Sequence, residues 1–361
     1  MDHKELFDVT IVGGGPAGLY SAFYSGLREM KTKIIEYLPQ LGGKLHLYPE
    51  KMIWDVGGIT PLPGEKLREQ LVQQGLTFRP EVVTNTKIKS ISKNEEGYFL
   101  LETDKGETHY SKTVIVAVGS GIVTPQKLKI EGAERFEVSN LNYTIKSLMH
   151  FRDKVVVVSG GGNSAVDWAL ELEPIAKKVY LTCRKDSLAG HEAKASELLD
   201  SKVECLFHTS ITKLLANDSH EKIDAVELTN SITGEAYKVK VDEVVINHGY
   251  EMDSSLLKNS ELAIDMLEDF YIAGNASSES SVPGLFAAGD ILKHDGKVHL
   301  IAGAFQDAAN AVNKAKLYIQ PDANNFGMVS SHNELFEEKN KEIIKNMMQC
   351  EDCTAMKVRV K

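Results

Sequence analysis

Two stretches of this chain repeat one local pattern, and that repetition limits the fold more than any other feature of its 361 residues. Residues 8–12 (DVTIV) form a β-branched apolar run that enters Gly13-Gly14-Gly15-Pro16-Ala17-Gly18, and a helix-like stretch follows through Arg28. Residues 154–159 (KVVVVS) enter Gly160-Gly161-Gly162-Asn163-Ser164-Ala165 in the same way, and 166–172 again read as helix. A second strand follows each helix, 33–36 in the first copy and 179–182 in the second. Strand, glycine turn, helix and strand together make the unit of a doubly wound nucleotide-binding domain. Two such units predict an α/β protein with two doubly wound, three-layer nucleotide-binding domains, and a chain of this length has room for both.

The remaining signals order these pieces. Residues 87–92 and 98–103 alternate around Asn94-Glu95-Glu96-Gly97, which predicts a β-meander inserted in the first domain. Residues 113–118 read as a further buried strand, closed by Gly119. A turn near Gly234 separates two strand-like runs of the second domain, which ends on Val244-Val245-Ile246. After Gly249 the chain is expected to return to the first domain, because 285–290 read as strand and turn and 299–316 as an Ala-rich helix. The expected division is 1–119 for the first part of one domain, 120–247 for the second domain, 248–320 for the return and 321–361 for a C-terminal tail.

The two glycine turns differ in the charge that follows them. In the first, Gly13 allows the tight turn, Gly15 lets backbone approach a pyrophosphate, and Gly18 lets the helix pack closely on the strand. Glu36 stands about twenty residues on, at the end of the second strand, where a carboxylate accepts from ribose hydroxyls and repels a 2′-phosphate. In the second, Gly160, Gly162, Asn163, Ser164 and Ala165 keep the turn, but the strand ends in Cys183-Arg184-Lys185. Two cations there suit an adenosine 2′-phosphate, a solvated basic edge being the bland alternative. The contrast assigns FAD to the first turn and NADPH to the second. Gly289 and Asp290 add a carboxylate at a strand end just before a long helix, placed for ribityl hydroxyls, although a Gly-Asp pair alone is a common turn.

Composition narrows the partners. A net charge of −10 argues against general affinity for nucleic acid or an anionic membrane. The opening residues are charged, the longest apolar runs are strand-sized, and four cysteines show no framework spacing, so a soluble cytoplasmic protein is expected.

Taken together, IVGGGPAGLYSAFYSGLR (11–28), LGGKLHLYPEKMIWDVGG (41–58), VSGGGNSAVDWA (158–169), GLFAAGD (284–290) and HLIAGAFQDAANAVNKAK (299–316) carry a resemblance along nearly the whole chain. It resembles the thioredoxin-reductase-like ferredoxin–NADP⁺ reductases. The resemblance implies a homodimer of two-domain subunits, with FAD contacts at Glu36, Lys44 (often Gln in the family), Tyr48, Ile88, Val123 and Asp290. Tyr48 is expected to stack on one flavin face, and Ser331 or His332, in the tail, to cover the other. His191 and Glu192 match a His-Glu pair beside the nicotinamide nucleotide, and read equally well as a helix cap. Residues 186–189 lack a further arginine common in the family, which weakens the expected preference for NADPH over NADH.

The implied reaction is electron transfer from NADPH through FAD to ferredoxin or flavodoxin. A ferric siderophore is the alternative acceptor, and a non-catalytic nucleotide sensor would share the folds. A thioredoxin reductase needs a Cys-x-x-Cys near the start of the nucleotide domain, and 130–143 contain no cysteine. Cys183 and Cys205 read as packing residues. Cys350 and Cys353 form a Cys-x-x-Cys flanking Glu351 and Asp352, acids that raise a thiol pKa, with no second Cys or His pair to complete a zinc site. They read as a nonfunctional tail, a tail dithiol disulfide reductase being the rival.

Overall fold

The computed structural model describes residues 5–349, so Cys350 and Cys353 lie outside the described residues. Two compact units emerge. One takes the described residues up to Leu41, then Leu71–Gly119, then those from Ser255 onward; the other takes Gly42–Gln70 and Ser120–Ser254.

In the first unit, the β-branched opening strand Leu6–Val12 is buried because strands flank it on both sides. It pairs in parallel with Thr32–Ile35 and with the long strand Thr108–Val116. Glu81–Val83 extends the sheet beyond Thr32–Ile35. The predicted meander is present: Ile88–Lys93, Phe99–Thr103 and the first half of Thr108–Val116 run antiparallel. The second half of that long strand accepts Leu285–Ala287 in parallel. Helices Pro16–Leu27 and Ile301–Ile319 pack together on this sheet, with Tyr20 and Phe305 ring centroids 4.9 Å apart.

Buried Arg28 ties three chain segments of this unit. Its guanidinium donates to Asn313 Oδ1 at 2.7 Å and to the Asn324 carbonyl at 2.5 Å. The tail then crosses the outer face of the first helix, where Phe336 meets Phe78 at 5.6 Å and Phe23 at 6.4 Å. The helix Glu337–Gln349 follows.

The second unit holds a five-stranded parallel sheet in the order Leu141–Asn142, Glu243–Ile246, Val155–Ser159, Lys178–Thr182, Glu204–Leu206. Helix Asn163–Leu172 buries Ala165, Val166, Trp168, Ala169 and Leu172 against it. A three-stranded antiparallel sheet, Thr209–Ala216, Ile223–Asn230 and Ala236–Lys240, turns at Gly234 as expected.

Two boundaries differ from the expected division. The chain rejoins the first unit at Ser255 rather than soon after Gly249, because Tyr250–Met252 pairs antiparallel with Val123–Pro125 and keeps that ribbon in the second unit. Gly42–Gln70 also groups with the second unit. Lys51 Nζ reaches Asp167 Oδ2 at 2.8 Å, Glu50 Oε2 accepts from the Leu148 amide at 2.7 Å, and Lys44 Nζ donates to Ser120 Oγ at 2.6 Å.

Replacing buried Arg28 with Met leaves two oxygens without their donor in a partly buried place, a loss of about 1 to 2 kcal/mol. The first unit's urea midpoint should fall in Arg28→Met, while Lys341→Met, whose exposed partners are Glu337 and Glu338, should leave it unchanged.

Candidate nucleotide-binding sites

Gly13 adopts φ +108°, and a Cβ there would lie 2.4 Å from the Ala117 carbonyl oxygen. A Cβ on Gly18 would lie 1.9 Å from the Gly13 carbonyl oxygen, so helix and turn touch backbone to backbone. Gly15 precedes the helix, Pro16 opens it, and no side chain caps it. Free N–H groups at that end suit an anion.

Glu36, buried at the end of its strand, is aimed by the backbone. The Gly14 amide donates to its Oε2 at 2.6 Å and the Leu38 amide to its Oε1 at 2.8 Å. Each oxygen keeps a lone pair for a ribose hydroxyl. Ile88 is buried in the cluster that also holds Val12, Ile35 and Ile291, where it packs the core of this unit. Asp290 lies on the turn Gly289–Ile291 that follows Leu285–Ala287, ahead of the long helix. These residues, with Gly13, Gly15 and Gly18, fit a dinucleotide with an unphosphorylated adenosine ribose.

In the second unit, a Cβ on Gly160 would lie 2.4 Å from the Asn247 carbonyl oxygen, whereas one on Gly162 would meet open space. Beside Gly162 is a cavity of about 140 Å³ whose lining includes Tyr143, Asn163, Ser164, Asn247 and Tyr250. Asn247 Oδ1 is buried there without a hydrogen-bond partner among the described residues. An orphaned acceptor beside an open glycine turn fits a ligand that brings a donor, such as a ribose or a carboxamide.

The basic strand end is clipped to the same turn. The Ala189 amide donates to the Gly161 carbonyl at 2.7 Å, and the His191 amide to Asn163 Oδ1 at 2.8 Å. Arg184 and Lys185 are exposed between these anchors and their strand. His191 occupies the N-cap position of helix Glu192–Leu199 without a side-chain capping bond, and Glu192 is exposed in its first turn. Cys183 is buried against Gly161, as a packing residue would be, and Cys205 is half-buried with a thiol pKa raised by burial.

Sequence reasoning missed His248. Thr182 Oγ1 donates to Ser159 Oγ at 3.1 Å, and Ser159 Oγ lies 2.9 Å from His248 Nε2. Three polar side chains, Thr182, Ser159 and His248, thus form one hydrogen-bonded chain at the strand ends. Burial, and then the charge of Arg184, hold the His248 pKa below its usual value. No spacing pattern marks this residue; only the convergence of three strand ends does.

The residues expected around the flavin divide between the units. Lys44 and Tyr48 belong to the second, where Tyr48 stacks on Trp168 with centroids 6.5 Å apart and planes 24° apart. Tyr250 is half-buried beside it, its hydroxyl pushed up to about 12 by burial and then by Tyr48, to which it is hydrogen-bonded. The Val123 backbone pairs with Met252, and its side chain is outside the described ones. Ser331 and His332 are exposed on the short turn Ser330–His332 of the first unit. Among the described residues no helix is long and apolar enough to cross a membrane.

Two glycine-turn nucleotide sites in one chain define the class, and residues 7–315 match the family described as pyridine nucleotide-disulphide oxidoreductase, to which this chain belongs. It is 71% identical over 349 residues to Ferredoxin--NADP reductase 1 of Bacillus mycoides, covering 97% of this chain and 100% of that one. It is 65% identical over 348 residues to Ferredoxin--NADP reductase 2 of Exiguobacterium sibiricum, covering 96% of this chain and 99% of the relative. Among solved structures, Lactococcus lactis thioredoxin reductase matches with a TM-score of 0.71 at 25% identity, covering 87% of this chain and 99% of that one. The thioredoxin-reductase-like fold expected from the motifs is therefore the fold observed.

Because the folded pKa of His248 is depressed, its contribution is complete above the unfolded histidine value of about 6.5 and is lost as pH falls through the lower folded value. His248→Gln should flatten the acid-side fall in stability between those two values. An NMR titration should place the His248 midpoint below 6.5 in the wild type.

Proposed function

We propose that this protein is an FAD-dependent reductase that passes electrons from NADPH to a ferredoxin- or flavodoxin-type carrier. The observation that carries this reading is the difference between two equivalent strand ends. Glu36 is buried and aimed by two backbone amides, while Arg184 and Lys185 stand exposed beside an open glycine turn. One end suits a bare ribose and the other a ribose phosphate. The relatives' name, Ferredoxin--NADP reductase, at about 70% identity over nearly the full length, supports the carrier.

Glu36, the turn Gly13–Gly18 and Asp290 would hold FAD, with Ile88 closing the wall beneath it. Gly160, Gly162, Asn163, Ser164, Asn247, Arg184 and Lys185 would hold NADPH. When bound, FAD supplies the conversion between two-electron and one-electron transfer. The chain's own groups bind, orient and exclude water. Tyr48 is in this reading the ring over one flavin face, and Ser331 or His332 the cover of the other. Lys44 and Val123 stand as further flavin neighbours, and His191 with Glu192 as neighbours of the nicotinamide nucleotide. A cytoplasmic homodimer completes the reading.

A ferric siderophore remains the second acceptor class, because it too takes single electrons. The disulfide alternative has less to draw on, since Cys183 is buried against the glycine turn and the thiol of Cys205 is raised by burial.

The purified flavoprotein should oxidise NADPH rapidly with ferredoxin or flavodoxin and slowly with a disulfide. Turnover confined to the disulfide, and lost in Cys350→Ser, would replace this reading. Removing both cations in Arg184→Ala/Lys185→Ala should weaken NADPH binding about 10- to 100-fold at low salt and leave NADH binding within twofold. Equal losses for both nucleotides in stopped-flow binding would remove the 2′-phosphate assignment.

A further inference from the structure

Behind the Gly289–Asp290 turn lies a charge pair that neither glycine motif contains. Lys297 and Asp307 are both buried, with side-chain exposures of 4% and 8%, and they form an ion pair. Lys297 comes from the loop before the long helix and Asp307 from that helix's second turn, on its buried side. Both also bind one residue, Gly289. The Gly289 amide donates to Asp307 Oδ2 at 3.0 Å, and Lys297 Nζ donates to the Gly289 carbonyl at 2.9 Å. Gly289 has φ +78°, a conformation other residues rarely hold. Asp307 is fixed from two more sides. Its carbonyl accepts from fully buried Ser278 Oγ at 2.9 Å, and His294 Nε2 lies 3.9 Å from its Oδ1.

We infer that Lys297 and Asp307 are positioning residues for FAD: together they lock the backbone of Gly289 and so set where Asp290 and the head of helix Ile301–Ile319 stand. The inference rests on the reading that this turn faces FAD. An ion pair with so little side-chain exposure is poor evidence for a purely stabilising role, because an apolar pair of similar volume often replaces it at little cost in stability. What an apolar pair cannot supply is the acceptor for one backbone amide and the donor for the adjacent carbonyl. Neither residue need touch the cofactor, and each acts through Gly289.

The test separates holding the fold from holding the cofactor. FAD would be stripped from wild type, Lys297→Met, Asp307→Asn and the double variant Lys297→Met/Asp307→Leu. FAD affinity would then be read from flavin fluorescence, the visible flavin spectrum from the reloaded protein, and apoprotein stability from thermal unfolding. Both single variants should lose FAD affinity by about tenfold or more, the scale of a misplaced binding group. The double variant leaves no buried charge unpaired, so its apoprotein should be more stable than that of either single variant, yet it should still bind FAD weakly, with an altered visible spectrum. If it regains wild-type affinity and spectrum together with stability, or if Lys297→Met binds FAD as the wild type does, the positioning role is overturned. Should a single variant fail to fold, the double variant decides alone. A wild type that takes up no FAD at all would instead overturn the flavoprotein reading on which the inference rests.

Discussion

Backbone touching backbone at the glycine turns is the constraint from which the rest of this structure follows. At Gly18 the helix Pro16–Leu27 meets the Gly13 carbonyl with no room for a Cβ, and at Gly160 the second turn meets the Asn247 carbonyl, where a Cβ would lie 2.4 Å from the oxygen. Such contacts bring a helix head to the carboxyl ends of parallel strands, which is where doubly wound sheets bind ligands. Any side chain there would separate helix from strand, and the amides that orient Glu36 would lose their target. One steric condition thus sets both the packing of each unit and the charge environment of its crevice.

The two crevices use the condition differently. In the first, the backbone spends its amides on the carboxylate that follows, and Glu36 becomes a fixed acceptor. In the second, Asn163 uses its side chain to hold the His191 amide, so the loop behind Arg184 and Lys185 is tethered while the cations themselves stay exposed. A rigid acceptor suits neutral hydroxyls at short range, and exposed cations suit a phosphate whose attraction acts over a longer distance.

Much of this was legible because it is local. A strand that ends in Glu36 or in Arg184-Lys185, after a glycine turn and a helix, declares its fold and its terminal charge within one short stretch of chain. The meander around Asn94–Gly97 and the turn at Gly234 were legible for the same reason. The allegiance of residues 42–70 was not, since contacts distant in sequence decide it: Lys51 with Asp167, Tyr48 with Trp168, Glu50 with Leu148. His248 and Asn247 follow an ordinary apolar strand and acquire meaning only when Ser159 and Thr182 arrive from neighbouring strands. Lys297 and Asp307 are likewise unremarkable in a loop and a helix until they meet at Gly289.

The strand Thr108–Val116 carries a consequence for the order in which the chain can be assembled. Half of it pairs with the meander that precedes it, but its other half needs Leu285–Ala287, which is synthesised only after the whole second unit. On the ribosome the second unit has its complete parallel sheet available first, apart from the earlier segment Gly42–Gln70. The first unit must meanwhile wait with an apolar strand partly unpaired, in the state most open to wrong pairing between nascent chains. Its late closure makes the biogenesis of the first unit depend on residues made after Ser254, and a chain cut short there would hold every segment of the second unit while the first unit, lacking Leu285–Ala287, became an aggregation hazard.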